Sequence, residues 1–286
     1  MQQPFARACV EDHSVSRPNF LEADGAPTWI TRGANFAVAI TRASAGTSLQ
    51  NTSVPDEHML LLHEVSARVS TGDGKIIVPA NHLVIVPPGD SEVVATGAGL
   101  IVRCFSARHV AMLAQAGNAS SYAAPRDELA QIIDWPAPVG GFALKTYDLA
   151  AGLAEGDKTR VYRSSNLMIN ILRERQEPRD TRGLSPHSHA DFEQGSITLS
   201  GRHVHHLRTP WVPDMSVWRP DEAVEVGSPS VTIIPPPIIH TTRNIGYGRA
   251  LLVDLFCPPR EDFAKRPGMV RNFADYPLPP HLRGAV

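Results

Sequence analysis

The sequence predicts an all-β protein of two related halves joined by a short helical connector. Its 25 prolines and 21 glycines are spread along 286 residues and cut the chain into short extended runs. Apolar runs of strand length recur in the same order in both halves, an internal repeat. The 42% of apolar residues is enough to build a core around those strands, and 20% charged residues does not suggest disorder.

Taken in order, Asn35–Arg42 corresponds to Asn166–Arg173, and Val65–Ser70 to Gly195–Ser200, each of the latter followed by a glycine hairpin signal. His82–Gly89 then matches Ser230–Pro237, and Gly99–Phe105 matches Ala250–Phe256. The repeated units run over about 30–108 and 160–258. Between them, Arg108–Ala116 and Arg126–Ile133 read as short helices, and Phe142–Tyr147 as a strand. The expected division is 1–110, a connector at 111–159, and 160–286 with a tail that wraps back on Phe263, Phe273 and Tyr276.

A formal charge of −2 argues against a nucleic-acid partner, which needs a basic excess. Cys9, Cys104 and Cys257 are too scattered for a disulfide framework and read as reduced thiols. The N-terminus lacks the pattern of a secretory signal, and no apolar stretch reaches the ~18 residues a membrane span requires. These points lead us to expect a cytoplasmic protein without a membrane partner, able to form a homo-oligomer. Phosphate-binding glycine loops and nucleophile elbows do not occur.

Pro186-His187-Ser188-His189-Ala190-Asp191-Phe192-Glu193-Gln194 carries the chemistry. Two histidines one residue apart on an extended segment project to the same side. With a neighbouring oxygen donor and the later His240 they form a transition-metal set, since imidazole suits zinc, copper, iron and nickel.

The pattern resembles the cupin superfamily, whose first motif reads roughly G-x5-H-x-H-x3-4-E-x6-G and whose second reads G-x5-P-x-G-x2-H-x3-N. His187, His189 and Gly201 match the first; Gly227, Pro235, His240 and Asn244 match the second. Pro237 replaces the usual glycine, Gly227 lies one or two residues further from Pro235 than the pattern prefers, and the carboxylate slot, six residues before Gly201, holds Gln194. The resemblance implies two jelly-roll (double-stranded β-helix) barrels. It also implies one divalent metal (Fe, Ni, Zn or Mn) in the second barrel on His187, His189, Gln194 and His240. Glu193 is the alternative to Gln194; adjacent strand residues face opposite ways, so both cannot easily coordinate. The first barrel reads as degenerate: Glu92 aligns with His240, and His58 and His63 suit core packing.

Around the metal, His203, His205 and Arg208 are candidates for catalysis, with either His203 and His205 or His206 and Arg208 facing the cavity. Arg173 and Arg175 share a face and are read as a carboxylate clamp or as a solvated pair. Trp218 and Trp211 form an aromatic rim or ordinary packing. The expected substrate is a small anion. Three functions follow in order of preference: a metal-dependent dioxygenase, a sugar-acid or carbonyl isomerase, and a non-catalytic small-molecule-binding bicupin.

Overall fold

The computed structural model describes residues 5–151 and 153–283. Two pairs of antiparallel sheets form two jelly-roll barrels. In the first, one sheet runs Lys145–Asp148, His82–Val86, His58–His63, Gly99–Ser106, Phe36–Ala43, Pro27–Arg32 and Phe20–Leu21. Facing it are Ser48–Val54, Gly89–Ala95, Ala67–Thr71 and Gly74–Val78. In the second, the larger sheet runs Cys9–Asp12, Ser230–Ile234, Gln194–Ser200, Leu251–Phe256, Met168–Leu172 and Thr159–Arg163. Its facing sheet is Glu222–Val226, His203–Arg208 and Ile239–Asn244.

Alternation along these strands sends every second side chain to the far face. The outward faces of the two larger sheets pack on each other, joining Val38, Met59 and Ile85 to Ile169, Ile197 and Val253 in one core. Gly195 permits the close approach, because a Cβ there would meet the Phe36 ring at 2.9 Å.

The inward faces differ sharply. The first barrel is filled by Leu60, Leu62, Val69, Val84 and Val86. Corresponding places in the second hold Ser196, Thr198, His205, Thr232 and Ile234. One barrel has a hydrocarbon core and the other a polar interior.

These registers correct the repeat. Gln194 pairs with Ile234 as His58 pairs with Val86, so Gln194–Ser200 corresponds to His58–His63, not to Val65–Ser70. His240 pairs with His187 as Ser91 pairs with Asn51, so Ser91, not Glu92, occupies the His240 place. The shift arises at the irregularity between Gly89 and Ser91. Glu92 instead lies near the surface, 3.8 Å from Arg68.

The expected boundary at residue 110 also needs correction. Cys9–Asp12 joins the second barrel as an edge strand on Ser230–Ile234, while Lys145–Asp148 of the connector completes the first. Of the two expected helices, Val110–Ala114 forms. Residues 126–133 stay irregular because their backbone is engaged elsewhere: Ala130 N–H bonds Asp191 O, and its carbonyl accepts from Asn35. A short 3-10 turn occurs at Ala119–Tyr122. The tail wraps back: Val270 bridges Val161, and buried Tyr276 donates to Glu57 of the first barrel at 2.9 Å. Phe273 is exposed and no anchor. Among the described residues, no helix is long and apolar enough to cross a membrane.

Candidate metal centre

His187 and His240 face each other across an antiparallel bridge, with N–H···O distances of 3.0 and 2.7 Å in the two directions. His189, two residues on, turns to the same side. The ligand nitrogens of His187, His189 and His240 all lie within 4.8 Å of one another.

The tautomers of His187 and His240 are set by the backbone. His187 Nδ1 lies 2.9 Å from Ser185 O and His240 Nδ1 lies 3.0 Å from Ile238 O, so Nδ1–H donates and Nε2 keeps its lone pair. Burial pushes His189 down to about 3 and His240 to about 4, so both rings are neutral, as metal ligation needs.

Gln194 faces this cluster and Glu193 does not. The Gln194 Oε1 is 3.0 Å from His189 Nε2 and 3.4 Å from His240 Nε2. Its Nε2 donates to Asp254 Oδ1 at 3.0 Å and to Ser196 Oγ at 2.9 Å. A carboxylate only accepts, so Asp254 assigns the amide orientation. Glu193 points toward the first barrel, where its carboxylate accepts from Ala34 N–H at 2.6 Å and Tyr122 O–H at 3.1 Å.

Two donors at about 2.0–2.1 Å from one ion are about 3.0 Å apart when cis-octahedral and about 3.4 Å apart when tetrahedral. The separations between Gln194 and the two histidines fall in that range, so the donor set fits a transition metal.

Asp254 has no counterpart among the sequence candidates. Burial pushes it up to about 6, against the hydroxyl of Ser196. Its one signal was a lone carboxylate inside the apolar strand Leu251–Phe256. Arg260 was missed as well: its guanidinium lies 3.7 Å over the Phe263 ring and 5.5 Å over Phe192, which stacks on His189 at 4.4 Å. Its charge helps hold His189 and His240 unprotonated, after burial.

Other candidates separate. His203 and His205 face the barrel interior, on the rows pairing with Asn244 and Thr242 beyond the His240 row. His205 Nδ1 lies 2.9 Å from Thr242 Oγ1. Arg208 lies on the outer face, exposed and paired with Asp221. Arg173 is exposed and caps the carbonyls of Ala154 and Asp157. Arg175 bridges Ala250, at the opposite end of Leu251–Phe256 from the histidines. Trp218 stacks on exposed Trp211 at 4.9 Å, in the loop beyond Arg208. The expected arginine clamp and indole rim therefore do not form at the histidines, and the case for an anionic substrate that rested on them lapses.

The first barrel fills the same register positions differently. Asn51, His58 and Ser91 replace His187, Gln194 and His240, and Arg103 replaces Asp254. Arg103 is buried, ion-paired with Glu22, and donates to Asn51 Oδ1 at 3.3 Å. A guanidinium occupies the ground a metal would need.

No protein-family model and no curated protein matches the chain. Solved structures do. A Lactobacillus farciminis oxalate decarboxylase in a formate complex superposes with a TM-score of 0.59 at 15% identity, over 88% of this chain and 86% of that one. A point variant of the Bacillus subtilis oxalate decarboxylase OxdC gives 0.56 at 13% identity, over 93% and 85%. AerE from Microcystis aeruginosa gives 0.53 at 8%, over 81% and 92%. At such identities the likeness is one of fold. The fold is that of the bicupins, two cupin barrels in one chain.

Proposed function

We propose that the second barrel holds one divalent transition metal on His187, His189, His240 and Gln194, and that the chain is a metal-dependent enzyme acting on a small carbonyl compound. The observation that carries the reading is the orientation of Gln194: its neutral oxygen, and not the Glu193 carboxylate, joins the histidines. All four donors are uncharged. A divalent ion so held keeps its charge for polarising a substrate oxygen, which favours an isomerase or hydratase type of reaction over redox chemistry. Asp254 orients Gln194, and its raised proton affinity makes it able to hold a proton in the buried polar interior. His205, in the next row, is held by Thr242.

A dioxygenase is the second reading. Its support is the three-imidazole set itself, which leaves open positions for substrate and O₂.

The test begins with elemental analysis of protein purified without added metal, beside His187→Ala. Wild type should carry one metal and the variant none. Small hydroxycarbonyl compounds are then incubated in D₂O, in parallel without oxygen and in air. Metal-dependent deuterium incorporation supports the proton-transfer reading, whereas substrate-dependent O₂ uptake without exchange supports the dioxygenase. Wild type without stoichiometric metal would overturn both.

A further inference from the structure

A cavity of about 170 Å³ lies in the seam between the barrels, away from the histidines. Leu61 of the first barrel, Ile171 and Val253 of the second, and Leu149 of the connector give it mainly apolar walls. Arg160 interrupts them. This residue is only 6% exposed, its Nε is shut off from solvent, and among the described residues its guanidinium has no hydrogen-bond or ion-pair partner.

Other buried arginines each have an acceptor, although Arg103 also leaves its Nε without one. Arg103 pairs with Glu22, and Arg163 donates to the carbonyls of Tyr276 and Pro277. At the cavity edge, Arg249 is already shared between Glu64 and Glu174. His63, also on the lining, has its proton affinity lowered by burial, so it adds no fixed charge. A guanidinium buried without an acceptor is costly, and an anion removes that cost.

We propose that this seam cavity binds a short-chain aliphatic carboxylate. Its two oxygens match the guanidinium fork, and its hydrocarbon body suits Leu61, Ile171 and Val253. At a water's share of liquid volume, about 30 Å³, the space takes roughly five or six non-hydrogen atoms. Inorganic phosphate fits less well, because Arg160 is the one uncommitted cationic donor among the described residues of a mainly apolar lining. A bound carboxylate would touch both barrels and the connector, and so tie them together.

Thermal shift at constant ionic strength tests this with butyrate, uncharged butyramide and inorganic phosphate. It is run on the full-length protein and on His187→Ala, so that binding at the proposed metal is separated from binding at the seam. Butyrate at about ten times its Kd should raise Tm by roughly 2–4 °C in both proteins, and butyramide should not. Arg160→Met should abolish the response while melting no lower than wild type, because it removes an uncompensated charge. The proposal is overturned if butyrate gives no shift, if butyramide matches it, if Arg160→Met retains it, or if only phosphate acts. An Arg160→Met that fails to fold marks the guanidinium as structural and overturns it too, as does a full butyrate response in Arg160→Gln.

Discussion

Gln194 keeps its oxygen toward the imidazoles because its nitrogen is committed to Asp254 and Ser196. Gln194→Glu would set two carboxylates against each other in a buried site. In metal-free protein it should lose roughly 1–3 kcal/mol in urea denaturation, and adding Asp254→Asn should restore most of that; an unchanged midpoint would show that Asp254 does not hold the amide. Glu193 has a different duty, accepting from Ala34 and Tyr122. Glu193→Ala should cost a similar roughly 1–3 kcal/mol with metal stoichiometry unaltered. If metal is lost instead, the assignment of the two residues has to be exchanged.

At the scale of elements, the site depends on how closely the strand Gln194–Ser200 lies on the first barrel. A Cβ at Gly195 would be 2.9 Å from the Phe36 ring, with Leu255 3.6 Å away on the same face. Gly195→Ala should therefore cost roughly 1–3 kcal/mol by overpacking, and Phe36→Leu in the same chain should recover part of it. Chemical denaturation of the two variants decides this; equal stability of Gly195→Ala and wild type would mean the seam yields freely. The loop carrying Trp211 and Trp218 makes the opposite case. Its ring pair is stacked but exposed, so Trp218→Ala should change stability by less than about 1.5 kcal/mol and leave metal content alone. Loss of metal in that variant would place the indole at the site after all.

For the whole molecule, acid is the informative perturbation. His13 and His58 lie outside the metal centre, and burial holds them neutral, at about 4 and about 3 against an ordinary 6.5. Both folded values lie below the unfolded one, so protons bind the unfolded chain preferentially. The resulting stability is fully present above pH 6.5 and is lost as pH falls from there toward 4. Metal-free protein should show that decline in urea midpoints between those values. His58 makes no hydrogen bond with either ring nitrogen and stacks on Phe105 at 5.0 Å. His58→Leu should accordingly flatten the decline; a slope no shallower than wild type would show that His58 titrates normally in the folded state.

The local pattern of the sequence was enough for much of this protein. Paired histidines at strand spacing, a third histidine after a proline turn, and recurring apolar runs all reflect rules of period two and of ligand chemistry that act over a few residues. Those rules carried the all-β class, the two repeated halves and the grouping of His187, His189 and His240; the resemblance to the cupins implied the barrels. Choosing Gln194 over Glu193 was also within reach, because strand parity makes the two mutually exclusive and the spacing to Gly201 favours Gln194. Contacts across the fold decided the rest. Glu92 aligned with His240 because a strand irregularity near Gly89 shifts pairing without changing composition. Cys9–Asp12 reads like any short strand, and only the free edge at Ser230–Ile234 recruits it to the far barrel. Arg173, Arg175 and Arg208 looked like substrate partners because sequence spacing cannot show that backbone carbonyls or a neighbouring aspartate already engage two of them, or that the third lies at the wrong strand end. Asp254, a lone charge in an apolar strand, and Arg160, one of two arginines in Thr159–Arg163, are the converse: their meaning comes from what other strands bring, an amide from the neighbouring strand for the first and an apolar seam for the second.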